Sequence, residues 1–165
     1  PHPNRTIGLE SRSPFEVVTD KREVRVGTKR LLLALSHQIE ANVPSLGAAT
    51  VVLSTFQEAC FFTPATAARY RKLGEDAALV GALGVGLSRQ PAPMVRGVSL
   101  DDTDPLRGEW DVTVVSPHFS VAFVARELGD DGPDMDRRFE FATTYDRGLA
   151  IEAARAMMSR LAGQA

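Results

Sequence analysis

At 165 residues, with 44% hydrophobic and 24% charged residues, the chain has the size and make-up of one globular domain able to bury a core. Nineteen basic against twenty-one acidic residues give a formal charge of −2, and no basic stripe is present, which argues against direct nucleic-acid binding by this chain. No apolar run approaches ~18–20 residues and no signal-peptide pattern opens the chain, so no membrane partner and a cytoplasmic location are expected.

Residues 1–27 read as an irregular N-terminal segment, interrupted by Pro1, Pro3, Gly8 and Pro14. The opening Pro1-His2-Pro3 without an initiator Met is what a fragment or a tag remnant would give. Within this segment Phe15-Glu16-Val17-Val18 and Glu23-Val24-Arg25-Val26 predict a hairpin around Thr19-Asp20-Lys21-Arg22. Residues 28–165 form the main domain. Its first helix runs from about Lys29 to Ala41, with Leu31, Leu32, Leu35 and Ile39 as a core-facing stripe, so a charge at Leu35 should undock it. A helical wheel puts His37 nearly opposite that stripe, with Glu40 one turn on. The pair reads either as a solvated face or as a pH-sensitive interaction surface.

Ala48 to Phe56 predicts a strand and Gln57 to Phe62 its connection. Cys60 sits there among Ala59, Phe61 and Phe62, a setting for a buried structural thiol. Thr63-Pro64, a hydroxyl cap followed by proline at the first helical position, opens a second helix with Ala67, Tyr70, Leu73 and Ala77 on its packing face. Leu79 to Val85 and Val95 to Leu100 predict two more strands, followed by an acidic turn to Gly108. The glycines of Gly81-Ala82-Leu83-Gly84-Val85-Gly86 lack dinucleotide-fingerprint spacing.

Trp110 to Val115 predicts a strong strand. Ser116-Pro117 repeats the cap-plus-proline device and predicts a largely buried helix to about Leu128, apolar at Phe119, Val121, Ala122, Phe123 and Val124. After a Gly/Pro/Asp-rich loop, Arg138 to Thr144 predicts a strand, and Asp146 caps a last helix over about 147–162. Leu149, Ala153, Ala154, Met157 and Leu161 give that helix a core stripe. Ala150, Ile151 and Met158 widen it to an arc that can serve a homodimer interface as well as a core. The alternation predicts an α/β fold, with α+β as the alternative: one mixed sheet covered by about four helices.

The candidate chemistry gathers where strands end. Gln57 offers donor and acceptor, Phe61 and Phe62 offer apolar walls, and Arg69 and Tyr70 follow on the next helix. The short connection keeps these five at one sheet edge, as a small-molecule site or as ordinary core. Trp110 adds an aromatic wall, and Asp111 is expected to pair with Arg138. His118, at a predicted helix start, is placed to orient an anion or simply to contact the helix end. The histidines His2, His37 and His118 fall at no metal-ligand spacing, no nucleophile motif is present, and no cofactor is implied.

Several of these phrases fall in a familiar order: Thr28-Lys29-Arg30, Leu33-Ala34-Leu35-Ser36-His37-Gln38-Ile39-Glu40, Phe56-Gln57, Phe61-Phe62 and Arg69-Tyr70. They continue through Glu109-Trp110-Asp111, Pro117-His118-Phe119, Arg138-Phe139-Glu140-Phe141 and Thr144-Tyr145-Asp146. Together, over about residues 28–162, they resemble the DICT sensory domain. The resemblance implies an intracellular signal-input module, attached in relatives to transcription-factor or cyclic-dinucleotide output domains, and it carries over no catalytic residue. The expectation is a sensory domain that binds an unknown small molecule and regulates an attached or partner output protein. A transmitter or dimerisation module without a ligand is the alternative, and an enzyme finds no constellation to support it.

Overall fold

The computed structural model describes residues 12–163. They fold as an α/β domain around one mixed sheet of seven strands in the order β1-β7-β6-β5-β2-β3-β4. The strands are β1 (Arg25–Thr28), β2 (Val51–Glu58), β3 (Leu79–Val85), β4 (Arg96–Ser99), β5 (Glu109–Val115), β6 (Ser120–Glu127) and β7 (Arg138–Thr144). Among the described residues there are four α-helices: α1 (Pro14–Thr19), α2 (Lys29–Asn42), α3 (Pro64–Asp76) and α4 (Arg147–Ala162). Strands β2, β3 and β4 run parallel, and β2 meets β5 antiparallel, so β2 is the seam between the two halves of the sheet.

Helices cover both faces. Leu32 of α2 and Tyr70 and Leu73 of α3 pack on one face with Val52, Val80, Val112 and Phe123. On the other, Phe15 and Val18 of α1 join Ala150 and Ala153 of α4 over Ala122 and Val124, while Met157 and Leu161 of α4 cover Leu53 and Leu83. The predicted caps act as expected at two helices. Thr63 Oγ1 accepts from Thr66 N–H at 3.2 Å, and Asp146 Oδ1 accepts from Leu149 N–H at 2.9 Å.

Three expected elements differ. The hairpin expected from Phe15 is instead the helix α1, because Ser13 Oγ accepts from Glu16 N–H at 3.2 Å and Pro14 takes the first helical position. Burial of Phe15 and Val18 against α4 then outweighs the strand preference of the valines. The irregular reading of residues 1–11 lies outside the described residues.

The helix expected after Ser116-Pro117 is the strand β6, paired with β5 from Val115↔Ser120 to Glu109↔Arg126. Ser116 closes a tight turn rather than capping a helix: its N–H donates to Phe119 C=O at 2.8 Å, and its Oγ accepts from Phe119 N–H at 3.1 Å. Because helices cover both sheet faces, Val121 to Ala125 are all fully buried, and the alternation that marks a half-exposed strand is erased.

Helix α2 has the expected length but a different orientation. Leu32 is buried, whereas Leu31 and Leu35 are 47% and 37% exposed, and Ser36 and Glu40 point inward instead. Leu35→Asp would therefore meet water, and the expectation that it undocks the helix does not hold. On α4 Ala150, Ala153, Ala156, Met157 and Leu161 are buried, while Ile151 and Met158 of the widened arc are only partly covered. Cys60 is exposed rather than a buried thiol, because the short 3-10 turn Ala59–Phe61 turns it outward.

Candidate functional site

Between the sheet, α2 and the first turns of α3 lies a cavity of about 270 Å³, at the small end of ligand sites. The position follows from β2. A bulge between Thr55 and Glu58 shifts its register, and Gln57 takes a φ of 62°, a left-handed conformation that costs a non-glycine residue about 1–2 kcal/mol. Pairing with β3 resumes at Glu58↔Val85, after which the chain enters the 3-10 turn Ala59–Phe61 beside the cavity. Phe56, Tyr70, Trp110 and Phe139 supply aromatic walls, and Phe61 stands at the side. Edge-on contacts fix these rings: Phe56 to Tyr70 at 5.2 Å, and Trp110 to Phe139 at 5.7 Å.

A family model described as the sensory domain in diguanylate cyclases and two-component systems, DICT, matches residues 16–128. That is more than half of the chain. The protein belongs to the DICT family. Its role is signal input, and the family is sensory rather than catalytic. A search of curated proteins finds no match. The matched span runs from within α1 to just beyond β6 and holds most of the cavity's lining; Met135, Arg137 and Phe139 come from the segment after it. No helix among the described residues is long and apolar enough to cross a membrane.

The polar groups of the DICT cavity fall into two sets. On one wall Gln57 Nε2 donates to Glu127 Oε2 at 3.0 Å, Glu127 pairs with Arg137, and Asp134 accepts from Arg137 Nε at 3.0 Å and from Lys29 Nζ at 2.6 Å. Lys29 and Arg137 also stand over the Phe61 ring, 5.2 and 5.7 Å from its centroid. This wall is internally neutralised. On the opposite wall Glu40 is buried and makes no hydrogen bond among the described residues; its nearest opposite charge is Arg69 Nε at 3.7 Å. Burial lifts the Glu40 carboxyl to about 7, the Arg69 charge holding it down in part. Partial burial and then the same Arg69 charge lower His37 below its ordinary value.

Of the residues singled out in the sequence, Gln57, Phe61, Arg69, Tyr70 and Trp110 line one cavity, and His37 and Glu40 join them from α2. Tyr70 presents its ring, since its hydroxyl donates to Ser54 Oγ at 2.7 Å behind the wall. Phe62 lies behind the lining, edge-on to Phe56 at 5.1 Å and to Tyr70 at 5.9 Å. His118 is exposed at the β5–β6 turn, away from the cavity and at no helix start.

The expected Asp111–Arg138 pair does not form. Arg138 binds Asp130 at 3.0 Å at the start of β7, while Asp111 is buried beside Glu109 on β5, two strands away in the sheet. Burial, reinforced by Glu109, raises the Asp111 carboxyl well above its usual range. Lys29, Ser36, Met135, Arg137 and Phe139 were not singled out as site residues. The i, i+4 spacing of Ser36 and Glu40, a polar stripe along α2, was the available signal for one of them.

Proposed function

We propose that this DICT domain senses a small molecule held in the cavity between α2, α3 and the end of β2, and passes its occupancy to an attached or partner output protein. The observation that carries this reading is the orientation of α2. The helix buries Ser36 and Glu40 and leaves Leu31 and Leu35 exposed, although burying a leucine is worth about 2 kcal/mol. A helix that merely covered a sheet would turn the leucines down. One that roofs a binding space needs its polar edge inside to meet the polar groups of a ligand. The strained Gln57 at the cavity wall is a further mark of a functional segment.

The test has two parts. Purified chain is melted against a library of small metabolites, and compounds that raise the melting temperature are re-measured on Leu33→Trp, which places a larger side chain into the space. The expected result is stabilisation of the wild type that Leu33→Trp abolishes. In the intact protein that carries the domain, Gln57→Ala, Arg69→Ala and Leu33→Trp should lose the signal response while keeping the fold. Stabilising compounds indifferent to Leu33→Trp, together with full response in all three variants, would overturn the reading.

A second reading, a transmitter that works by self-association, draws on Val24, Val26, Leu31 and Leu35, which are 37–57% exposed along the β1 edge and the adjoining turn of α2. Sedimentation at high concentration separates the two, because a strict monomer removes self-association as the role.

A further inference from the structure

We infer that the ligand is a small, uncharged, planar ring compound with an N–H and a C=O side by side, a lactam or amide edge, which donates to Glu40 and accepts from Arg69. This rests on the reading of the cavity as the sensory site and names the chemistry that site selects. Glu40 is more than nine-tenths buried, yet its carboxylate receives no hydrogen bond among the described residues, and Arg69 Nε, at 3.7 Å, is buried without an acceptor. A buried carboxylate left this way is expensive, and a group that donates to Glu40 while accepting from the partly exposed Arg69 guanidinium relieves it without adding charge.

The adjacency of the two charges sets the ligand's own charge. An ammonium drawn to Glu40 meets the Arg69 guanidinium, and a carboxylate drawn to Arg69 meets Glu40. A neutral edge with donor and acceptor in neighbouring positions meets neither penalty. The opposite wall does not alter this balance, because Lys29 and Arg137 are already paired with Asp134 and Glu127. Phe56, Tyr70, Trp110 and Phe139 favour a flat apolar body, and about 270 Å³ restricts it to one or two rings.

Trp110 is the sole tryptophan and lines the cavity, so its emission reads binding directly. The intact chain is titrated at about pH 8, where Glu40 carries its charge, with isocarbostyril, a two-ring lactam, and with three comparison compounds of similar shape: N-methylisocarbostyril, naphthoate and naphthylmethylammonium. Isocarbostyril should bind at least about ten-fold more tightly than each of the others, the worth of one hydrogen bond to a charged group. Glu40→Leu should lose that advantage while keeping the wild-type Trp110 emission of the free protein. Equal binding of the N-methyl compound, tighter binding of either ion, or an unchanged isocarbostyril affinity in Glu40→Leu would overturn the inference and leave the cavity as a ligand site of another chemistry. No response to any of the four also overturns it. If Leu33→Trp then leaves signalling intact in the full protein, the sensory reading of the cavity falls with it.

Discussion

Replacing Glu40 with Gln keeps the side chain's shape and removes the buried charge, and the consequence for stability follows from proton binding. In the folded protein the Glu40 carboxyl sits at about 7, against an ordinary value of 4.5. Between those values the folded state holds a proton that the unfolded chain has released, so wild-type stability falls as pH rises through this window and levels off above it. At about 1.4 kcal/mol per pH unit, the gap of 2.5 units corresponds to about 3 kcal/mol. Glu40→Gln escapes this loss. Its stability relative to wild type should therefore climb by about 3 kcal/mol from pH 4.5 to pH 8, or by roughly 6–12 °C in melting temperature for a domain of this size. The buried pair Glu109 and Asp111 titrates in both proteins and cancels in the difference. The assay is urea denaturation of both proteins at half-unit steps of pH. Two curves that stay parallel across the window would refute the buried placement of Glu40, without a hydrogen bond, on which the site chemistry stands.

Tyr70→Phe removes the partner of the buried Ser54 hydroxyl and should cost about 1–2 kcal/mol in urea denaturation without changing the circular dichroism; a neutral result would mean the hydroxyl pair is not formed. Gly97→Ala should destabilise by about 3 kcal/mol, because a Cβ there would lie 1.9 Å from Ser88 C=O, which backbone cannot easily yield; a melting temperature within 2 °C of wild type would contradict the close approach of that loop to β4. His37→Ala should stay within about 0.5 kcal/mol of wild type, since the side chain is exposed at the cavity rim, and a larger loss would show that it supports α2.

What could be read from the sequence was local. Thr63-Pro64 and Asp146 announce their helices because a cap and the first turn it serves lie within four residues. The span from Arg138 to Thr144 was legible because one sheet face differs from the other there, and Leu79 to Val85 because it is too short and glycine-rich for a helix. Three features depend on what lies across the core. The β6 strand hides its period because both faces are covered. Helix α1 is held by a distant acid, Glu109, whose Oε1 accepts from Phe15 N–H at 3.1 Å. The rotation of α2 departs from the usual amphipathic rule, with Ser36 and Glu40 turned toward the cavity beneath it. The site was legible in the same proportion. Residues 57–70 are brought together by one short connection, and the β2–β5 register carries Trp110 to the level of Phe56. Arg137 and Phe139 reach the cavity only through the strand order, which no local pattern encodes.

Strand β5 gives the sheet a further property. Its residues alternate between faces: Trp110 stands in the cavity wall, while its immediate neighbours Glu109 and Asp111 stand on the far side, where Glu109 holds the first turn of α1 and α1 packs on α4. The cavity and the packed α1–α4 layer are thus separated by a partition one backbone thick, and adjacent residues of one strand face both. Glu109 is the acceptor that anchors the α1 turn, so the strand that carries the cavity's indole is also the strand that fixes the first helix.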